Sequence, residues 1–208
     1  MKKLFTLALS ALALVGLSGC GENYSKDVLA AGEGVSYHAV GGFEGAWAAK
    51  AENKMEATSV AEVAKLDKAL AKTLAKKSLQ HLYVAKIEIK AESAGWETNT
   101  LVNGEVKKVD GKFTLKAIEA AWNAEEETYT NTHWIPNPAD TDCCHLEALT
   151  ENLFVPPYQK EKDANGFSWA DNPVMNVEEG FYHVVVAKYT ATSTEAVAGY
   201  GFGVVAAK

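Results

Sequence analysis

Several segments of this chain alternate between apolar and polar residues with a period of two, and this pattern limits the fold more than any other feature. Residues 82–91 (LYVAKIEIKA) show it most clearly, and residues 35–40 (VSYHAV) follow the same pattern. Such alternation predicts half-buried β-strands, because successive side chains of a strand point to opposite faces of its sheet. Residues 180–191 (GFYHVVVAKYTA) are rich in valine and aromatic residues, which favours a strand. Residues 197–207 (VAGYGFGVVAA) have glycines at alternate positions, and we expect residues 35–40 and 197–207 to form the first and last strands.

Two further segments in the middle of the chain carry strand signals. Residues 100–109 (TLVNGEVKKV) are centred on Asn103-Gly104, which predicts a tight β-hairpin because both residues tolerate positive φ angles. Residues 112–122 (KFTLKAIEAAW) fit either a strand or a helix. The Asp110-Gly111 turn before them favours a strand at their start.

The pattern changes to a helical period over about residues 58–80. Apolar side chains recur there at intervals of three and four residues, at Val63, Leu66, Leu70 and Leu74. Thr58 or Ser59 can cap the start of such a helix, and Glu62, three residues after Ser59, completes the pattern of a capping box, because the two side chains can cap free backbone N–H groups. We expect one amphipathic helix, inserted among the strands. The lysines on its other face are typical of a solvated surface, and contact with anionic lipid is the less common alternative.

Many strand segments with one helix among them favour a mainly β fold. We expect an Ig-like antiparallel β-sandwich that spans residues 35–208 and carries the inserted helix. The stretch 123–179 is rich in proline and has little periodicity. Loops of that length in a compact domain are usually functional, or else they contain strands or helices that the pattern does not reveal, so this stretch is a candidate for ligand contacts.

The first twenty residues are typical of a bacterial lipoprotein signal. Lys2 and Lys3 precede an apolar run, residues 4–17, that is short for a membrane span, and LSGC follows and ends at Cys20. In such signals the cysteine becomes acylated, with palmitate for example, and two or three acyl chains hold a protein firmly on a membrane. An ordinary secretory signal is the alternative.

We therefore expect residues 1–20 to be a signal peptide and Cys20 to be lipidated. Residues 21–34 are polar and punctuated by glycine, which predicts a flexible tether. The protein would then be exported and anchored through its lipid to the cell membrane or the outer membrane.

The charge of the chain excludes one class of partner. The net charge is −7 and the sequence contains no arginine. Arginine is the side chain best suited to phosphate contacts, and nucleic acid binding needs a basic face. Nucleic acid is therefore not expected as a partner.

The sequence carries no familiar catalytic motif: it has no G-x-S-x-G, no H-E-x-x-H and no phosphate-binding loop. The five histidines are scattered. His38 and His183 lie in strand patterns, where a packed histidine is the ordinary case, and only folding could assemble a catalytic group from such distant residues. We therefore expect no enzyme activity, no catalytic residue, no metal and no cofactor.

Cys143 and Cys144 stand side by side in DTDCCH. Export makes a disulfide that involves them the first expectation, although neighbouring Cα atoms about 3.8 Å apart would strain a bond between the two. Unremarkable thiols are the second. A metal site with His133 or His145 is the third, and adjacent cysteines fit one tetrahedral ion poorly. The oxygen-rich stretch 163–172 falls short of a calcium loop.

Aromatic residues in turn-like, polar sequence carry the functional hypothesis. Indole rings stack on the C–H faces of sugars, and polar groups nearby bond the hydroxyls, so exposed tryptophans with a polar rim are typical of a glycan site. The candidate stacking residues are Trp96, Trp122, Trp134 and Trp169. The candidate polar contacts are Tyr158, Asp171 and Asn172. The alternative is that the tryptophans cap the sandwich core.

Three segments resemble starch-binding and early-set sandwich domains: residues 37–47 (YHAVGGFEGAW), 111–122 (GKFTLKAIEAAW) and 171–191 (DNPVMNVEEGFYHVVVAKYTA). With the lipid anchor, the chain is similar to the outer-surface starch-binding lipoproteins of the SusE and SusF type. The resemblance implies an Ig-like sandwich that holds glucan on an aromatic platform without cleaving it.

The chain also departs from that family pattern. Glu44 stands where asparagine is usual, and Ala46 separates Gly45 from Trp47. The helix at 58–80 is an insertion relative to the family. In that family the tryptophan of this turn belongs to the fold as often as to a ligand surface.

The first hypothesis is a lipid-anchored, non-catalytic surface module that binds glycan, with a starch-like glucan favoured. The alternative is a structural or assembly lipoprotein of the cell surface that contacts other proteins through its aromatic loops. A third hypothesis is an enzyme or metal-dependent module that uses the loop with Cys143 and Cys144.

Overall fold

The structure of the protein is a computed structural model. It describes residues 23–41, 47–90, 98–102, 105–109, 113–135, 145–154, 174–175, 177–190 and 199–208. Within these residues the helices are α1 (Val60–Leu66), α2 (Lys68–Leu74) and a short 3-10 helix at Ala51–Asn53. The strands are β1 (Val35–Gly41), β2 (Glu56–Ala57), β3 (Leu79–Ile89), β4 (Thr98–Val102), β5 (Glu105–Val109), β6 (Phe113–Asn123), β7 (Thr128–Ile135), β8 (His145–Ala148), β9 (Leu153–Phe154), β10 (Val174–Met175), β11 (Gly180–Tyr189) and β12 (Gly199–Ala206).

The described strands form two larger sheets and a separate hairpin. In the first sheet the order is β1-β6-β10-β9, with β7 also paired to β6, and in the second it is β2-β3-β11-β12-β8. β4 and β5 form the hairpin predicted around Asn103-Gly104, with Val102 opposite Glu105. The prediction of a mainly β, sandwich-like fold is confirmed. The second sheet is mixed rather than wholly antiparallel, because β8 pairs parallel to β12.

The segment that fits either a strand or a helix forms β6. It pairs with β1 from Leu115 to Ala121 and with β7 from Ala117 to Asn123. The segment is a strand because it has backbone hydrogen-bonding partners on both sides. These partners outweigh the helix-like spacing of its alanines. β6 becomes the central strand on which the outer face of the first sheet is built.

The two sheets face each other across one apolar core. Tyr37 and Ala39 of β1 and Leu115 of β6 point into it from the first sheet, and Val184 of β11 and Phe202 of β12 point into it from the second. All of these side chains are buried, and they alternate with outward-pointing neighbours as strand geometry requires. Removing this apolar surface from water is the main term that stabilises the sandwich.

The helices α1 and α2 cover the outer face of the second sheet. They pack on Val185 and Ala187 of β11 and on Val205 of β12, which point away from the core between the sheets. The helical side chains in this contact are Val60, Val63, Leu70, Ala71 and Leu74. This packing accounts for the helical spacing of apolar residues in the sequence.

Two short helices replace the single helix expected over about 58–80. Asp67 ends α1 in an extended conformation, with φ −151° and ψ 119°. Its side chain accepts a hydrogen bond from the Leu70 N–H at 2.8 Å, which begins α2. Aspartate favours such a cap over a helix interior because its carboxylate competes for backbone N–H groups. Ser59 caps α1 as predicted, since its Oγ accepts from the Glu62 N–H at 3.2 Å.

The N-terminal end of the described chain packs on the second sheet and its helices. The Leu29 N–H donates to the Thr58 carbonyl at 3.0 Å, and the Leu29 carbonyl accepts from the Leu82 N–H at 2.9 Å. The Ser25 carbonyl accepts from the Ala61 N–H at 2.8 Å. This stretch of the expected flexible tether is therefore part of the folded domain, because backbone hydrogen bonds hold it there.

A short stretch of chain, residues 54–57, joins the two sheets along one edge. The Met55 N–H donates to the Tyr37 carbonyl at 2.7 Å, beside β1. The next two residues form β2, in which Glu56 stands opposite Val84 of β3. Because the same stretch bonds to a strand of each sheet, it fixes the two sheets relative to each other.

Glycines of β12 lie where neighbouring side chains leave little room. A Cβ atom added at Gly201 would lie 2.8 Å from Cγ and Cδ1 of Leu149, and one at Gly203 would lie 3.2 Å from Cδ2 of Leu70. Alternate glycines in GYGFG therefore let these two leucines pack directly on the strand backbone. This packing explains the alternate glycines of the motif.

We predict that Gly201→Ala lowers the free energy of unfolding by about 1–3 kcal/mol, because the new methyl group overpacks the contact with Leu149. Urea unfolding measures the effect. Gly32→Ala is the matched control, since a Cβ atom there would meet no atom within 4 Å, and its effect should stay within about 0.5 kcal/mol. Equal stability of the two variants would contradict the packing argument.

Candidate functional site

Most residues expected in a functional site lie outside the described part of the chain. These are Cys20, Trp96, Trp169, Tyr158, Asp171, Asn172, Cys143 and Cys144. Trp122 and Trp134 are described, and they belong to the adjacent strands β6 and β7.

Trp122 and Trp134 lie on the outer face of the first sheet. Along β6, Ala117 points into the core, whereas Ile118 and Ala120 belong to a separate cluster on the other side of the sheet. Trp134 stands opposite Ile118 and packs on that cluster. Trp122 follows Ile118 by four residues on β6, so the two indoles share a face and lie about 13 Å apart along the strand.

Tyr129 supports Trp122 on this face. The two residues are paired across β6 and β7, and their ring centroids lie 4.7 Å apart with the planes at 58°. Trp122 is 45% exposed, whereas Tyr129 and Trp134 are half-buried. The Nζ atom of Lys116 lies 5.6 Å from the centre of the Trp134 ring, within reach of a cation–π contact. We call the surface formed by Trp122, Tyr129, Trp134 and Lys116 the aromatic face.

A short segment, residues 47–53, packs on the same outer face, where it bonds to His38 of β1, and we call it the cover segment. Its side chains Trp47 and Ala49 pack on three buried residues, Val40, Ile118 and Ala120. Trp47 comes from the glycine-rich turn that resembles the starch-binding domains, and it is half-buried here. In this chain the tryptophan of the turn therefore packs at the edge of the aromatic face.

Hydrogen bonds of Asn53 and His38 hold the cover segment in place. Asn53 Nδ2 donates to the Ala48 carbonyl and Asn53 Oδ1 accepts from the Lys50 N–H, both at 2.9 Å. His38 Nδ1 lies 2.8 Å from the Lys50 carbonyl and 3.1 Å from Asn53 Oδ1. Both of these atoms are acceptors, so Nδ1 carries the proton. His38 Nε2 therefore accepts from the Ser36 hydroxyl at 2.8 Å.

Ser36, His38 and Asn53 thus have the connectivity of a nucleophile, a base and an orienting group. Their exposed fractions are 5%, 0% and 7% respectively. A base without exposed surface does not meet a substrate, and the same hydrogen bonds are needed to fix the cover segment. We therefore assign these three residues to the support of the outer face rather than to catalysis.

The environment of His38 keeps its ring neutral. Burial lowers the pKa of His38 and nearby Lys54 lowers it further, while the hydrogen bonds to Asn53 and to the Lys50 carbonyl oppose the decrease. The acceptors around Nδ1 require a proton on that atom, and burial disfavours a second proton on the ring. Burial also lowers the pKa values of His81 and His183.

A second polar cluster lies between the two sheets. The Tyr37 hydroxyl donates to Glu119 Oε2 at 2.8 Å and accepts from His81 Nδ1 at 2.9 Å. Lys188 Nζ lies 3.9 Å from the same Glu119 oxygen and 5.5 Å from the centre of the Tyr200 ring. Burial raises the pKa of Tyr37, and the Glu119 carboxylate raises it further, so the hydroxyl keeps its proton. The cluster ties strands of both sheets together.

Comparisons with protein-family models, with curated proteins and with solved structures found no match to this chain. Among the described residues, no helix is long and apolar enough to cross a membrane. The same part of the chain contains no group of three or more His, Cys, Asp or Glu side chains placed to hold a metal ion. The aromatic face is therefore the candidate site on the basis of its geometry.

Sequence reasoning missed several residues of this site. Tyr129 and Lys116 reach the aromatic face only because β6 pairs with β7, and no local pattern marks them. The turn between Trp122 and Tyr129 could have indicated their pairing if the segment had been interpreted as a hairpin. Asn53 follows His38 by fifteen residues, and the sequence contains no signal that joins the two.

We predict that the free energy of unfolding decreases as the pH falls from about 7.5 to about 5.5. An unfolded histidine binds a proton near pH 6.5, whereas folded His38 resists protonation, so the unfolded state gains the proton first. Each such histidine contributes at most about 1.4 kcal/mol per pH unit. In His38→Gln the decrease over this interval should be smaller, as measured by urea unfolding at both pH values.

His183→Gln serves as the comparison variant in that experiment. It removes a half-buried histidine from the second sheet, whose pKa burial also lowers, and leaves the cover segment and its hydrogen bonds intact. Because His183 is less buried than His38, we expect this variant to reduce the pH dependence less than His38→Gln does. A pH dependence in His38→Gln equal to that of the wild type would contradict the assignment of a neutral, buried His38.

Proposed function

We propose that the protein is a lipid-anchored surface module that binds glycan on the aromatic face, with a starch-like glucan as the favoured ligand and Cys20 as the anchor. One observation carries the proposal. Trp122 and Trp134, which the sequence marks as stacking residues, share one face of one sheet.

The exposed indole of Trp122 suits a sugar ring. The flat C–H face of a sugar contacts an indole face through apolar surface, while its hydroxyls remain in water. Tyr129 supports the Trp122 ring from a centroid distance of 4.7 Å. Because Trp134 lies about 13 Å further along the strand, the two indoles together favour an elongated ligand over a single sugar.

Polar side chains between and beside the indoles can bond the hydroxyls of such a ligand. Asn131 stands opposite Ala120 in the pairing of β7 with β6, and its side chain is exposed. Lys116 lies beside Trp134. The combination of an apolar ring face with amide and ammonium groups fits a hydroxyl-rich, uncharged ligand.

The sheet holds these groups in place before a ligand binds. Trp122 and Trp134 are fixed by strand pairing, and the buried side chains of Ile118 and Ala120 lie between them. A preformed surface binds with less loss of side-chain entropy than a loop that must be ordered. We therefore favour Trp122 and Trp134, which lie on strands, over residues of loops as the primary contacts with the ligand.

We expect Trp122→Ala in the full-length protein to weaken binding of a soluble α-glucan on the order of tenfold, because it removes the main stacking surface. Titration calorimetry measures the affinity. Trp134→Ala should also weaken binding, and its effect should be larger for long oligosaccharides than for short ones, because only a long ligand contacts both indoles.

Phe181→Ala is the matched control for these variants. Phe181 is 49% exposed and lies under Lys86 on the second sheet, away from the aromatic face. Its loss should leave glucan affinity unchanged. An equal loss of affinity in Phe181→Ala, or no binding to a panel of α- and β-glucans, would contradict the proposal. Concentration-dependent association in light scattering would then favour the assembly protein.

A further inference from the structure

The surface of α1 and α2 that faces away from the second sheet is basic, in a chain whose net charge is −7. The exposed lysines of these helices and of the turn after them are Lys65, Lys68, Lys72 and Lys76. The acidic residues of the same stretch are engaged, since Glu62 pairs with Lys65 at 2.7 Å and Asp67 caps α2. The helices and the turn after them thus carry four exposed lysines and two acidic residues, and we call the surface formed by the four lysines the lysine face.

The lysine face is the only side of the helices left for an outside partner within the described structure. The apolar side chains of both helices, such as Val63 and Leu70, are buried against the second sheet. The pair between Glu62 and Lys65 is highly exposed, with side-chain exposures of 56% and 70%. Water screens such a pair strongly, so Lys65 can exchange its carboxylate for another anion at little cost.

The described chain also begins at this surface. The Ser25 carbonyl accepts from the Ala61 N–H of α1 at 2.8 Å, and the Tyr24 hydroxyl donates to the Lys68 carbonyl at 3.4 Å. Cys20 precedes Tyr24 by four residues, so the Cα atoms of the two residues are within about 14 Å of each other. An acyl chain on Cys20 would therefore hold α1 and α2 close to the lipid.

We propose that the lysine face docks on the anionic headgroups of the membrane that holds the anchor. The inference rests on the proposed function for the lipid anchor at Cys20. Each lysine near an anionic leaflet favours the docked state by about fivefold. The attraction acts over about 8–10 Å at ordinary ionic strength, and a connection of at most about 14 Å between Cys20 and Tyr24 allows the helices to approach the membrane to that distance.

The position of the N-terminal segment is what distinguishes docking from an ordinary solvated face. A row of lysines on a helix is by itself typical of contact with water. Here the residues that follow the proposed anchor are bonded to the same helices that carry the lysines, through Ser25 and Tyr24. The lysines therefore lie on the same helices to which the first described residues are bonded.

The test uses the full-length lipidated protein, reconstituted into vesicles of phosphatidylcholine with or without phosphatidylglycerol. A membrane-impermeant amine-reactive ester, followed by peptide mass spectrometry, reports the accessibility of each lysine. Labelling of Lys68, Lys72 and Lys76 should fall about fivefold or more in the anionic vesicles relative to the neutral ones. It should recover in about 1 M salt, which screens the attraction. Lys54, exposed beside β1, is the internal control and should label equally in both.

A double variant separates electrostatic docking from simple burial against the vesicle. Lys68→Gln with Lys72→Gln removes two charges and keeps good helix formers, so Lys76 should lose most of its protection in anionic vesicles. Lys54→Gln with Lys90→Gln removes two exposed charges elsewhere and should leave the protection of Lys76 unchanged.

The outcomes distinguish this inference from the proposed function. Equal labelling of the lysine face in the two kinds of vesicle would overturn docking and leave the anchor and glucan binding intact. Failure of the protein to float with either kind of vesicle would overturn the anchor, and docking with it. Glucan binding by the same preparation is measured separately, so its loss would affect only the aromatic face.

Discussion

The pairing of β1 with β6 is the constraint on which the rest of the structure depends. Seven consecutive residue pairs join the two strands and decide which of their side chains face the core. Tyr37 points inward and meets Glu119 between the sheets, while its neighbour His38 points outward and meets Asn53 of the cover segment. A shift of one residue in this register would exchange the two faces. It would leave both polar clusters without their partners and turn Trp122 away from the surface.

The outer faces of the two sheets are covered by different kinds of interaction. On the second sheet, α1 and α2 pack through apolar side chains such as Val63 and Leu70, and this contact does not depend on pH. On the first sheet, the cover segment depends on a neutral His38 and on Asn53 as well as on packing by Trp47. Protonation would place a positive charge on the fully buried His38 ring, and burying a charge costs free energy. Acid therefore threatens the cover beside the aromatic face before it threatens the helices.

The sequence predicted those features that depend on a residue and its near neighbours. Period-two alternation predicted the strands that form β1 and β3, because the apolar residues of each segment mark the side that faces the core. Apolar, aromatic and valine-rich composition predicted the strands that form β11 and β12. The sequence did not predict that the helix is divided at Asp67, because the helical spacing of apolar residues continues across this position. In the sequence, an aspartate that caps a helix cannot be distinguished from one that is exposed to water. The contacts of Trp122 with Tyr129 and of His38 with Asn53 depend on pairing between distant segments. A single sequence carries no signal for such pairing. The N-terminal segment is held by backbone hydrogen bonds, which do not depend on particular side chains, so its sequence did not predict that it is folded.

The two proposed surfaces lie on opposite sides of the sandwich. The aromatic face is the outer face of the first sheet, the lysine face is carried by the helices over the second, and the core lies between them. A domain docked through its helices therefore presents Trp122 and Trp134 away from the lipid, where a polymer can approach without contacting headgroups. A flexible tether would leave this orientation undetermined. Hydrogen bonds that hold Ser25 and Leu29 to the domain couple the direction of the proposed anchor to the direction of the aromatic face, which is a physical reason for the N-terminal segment to be folded.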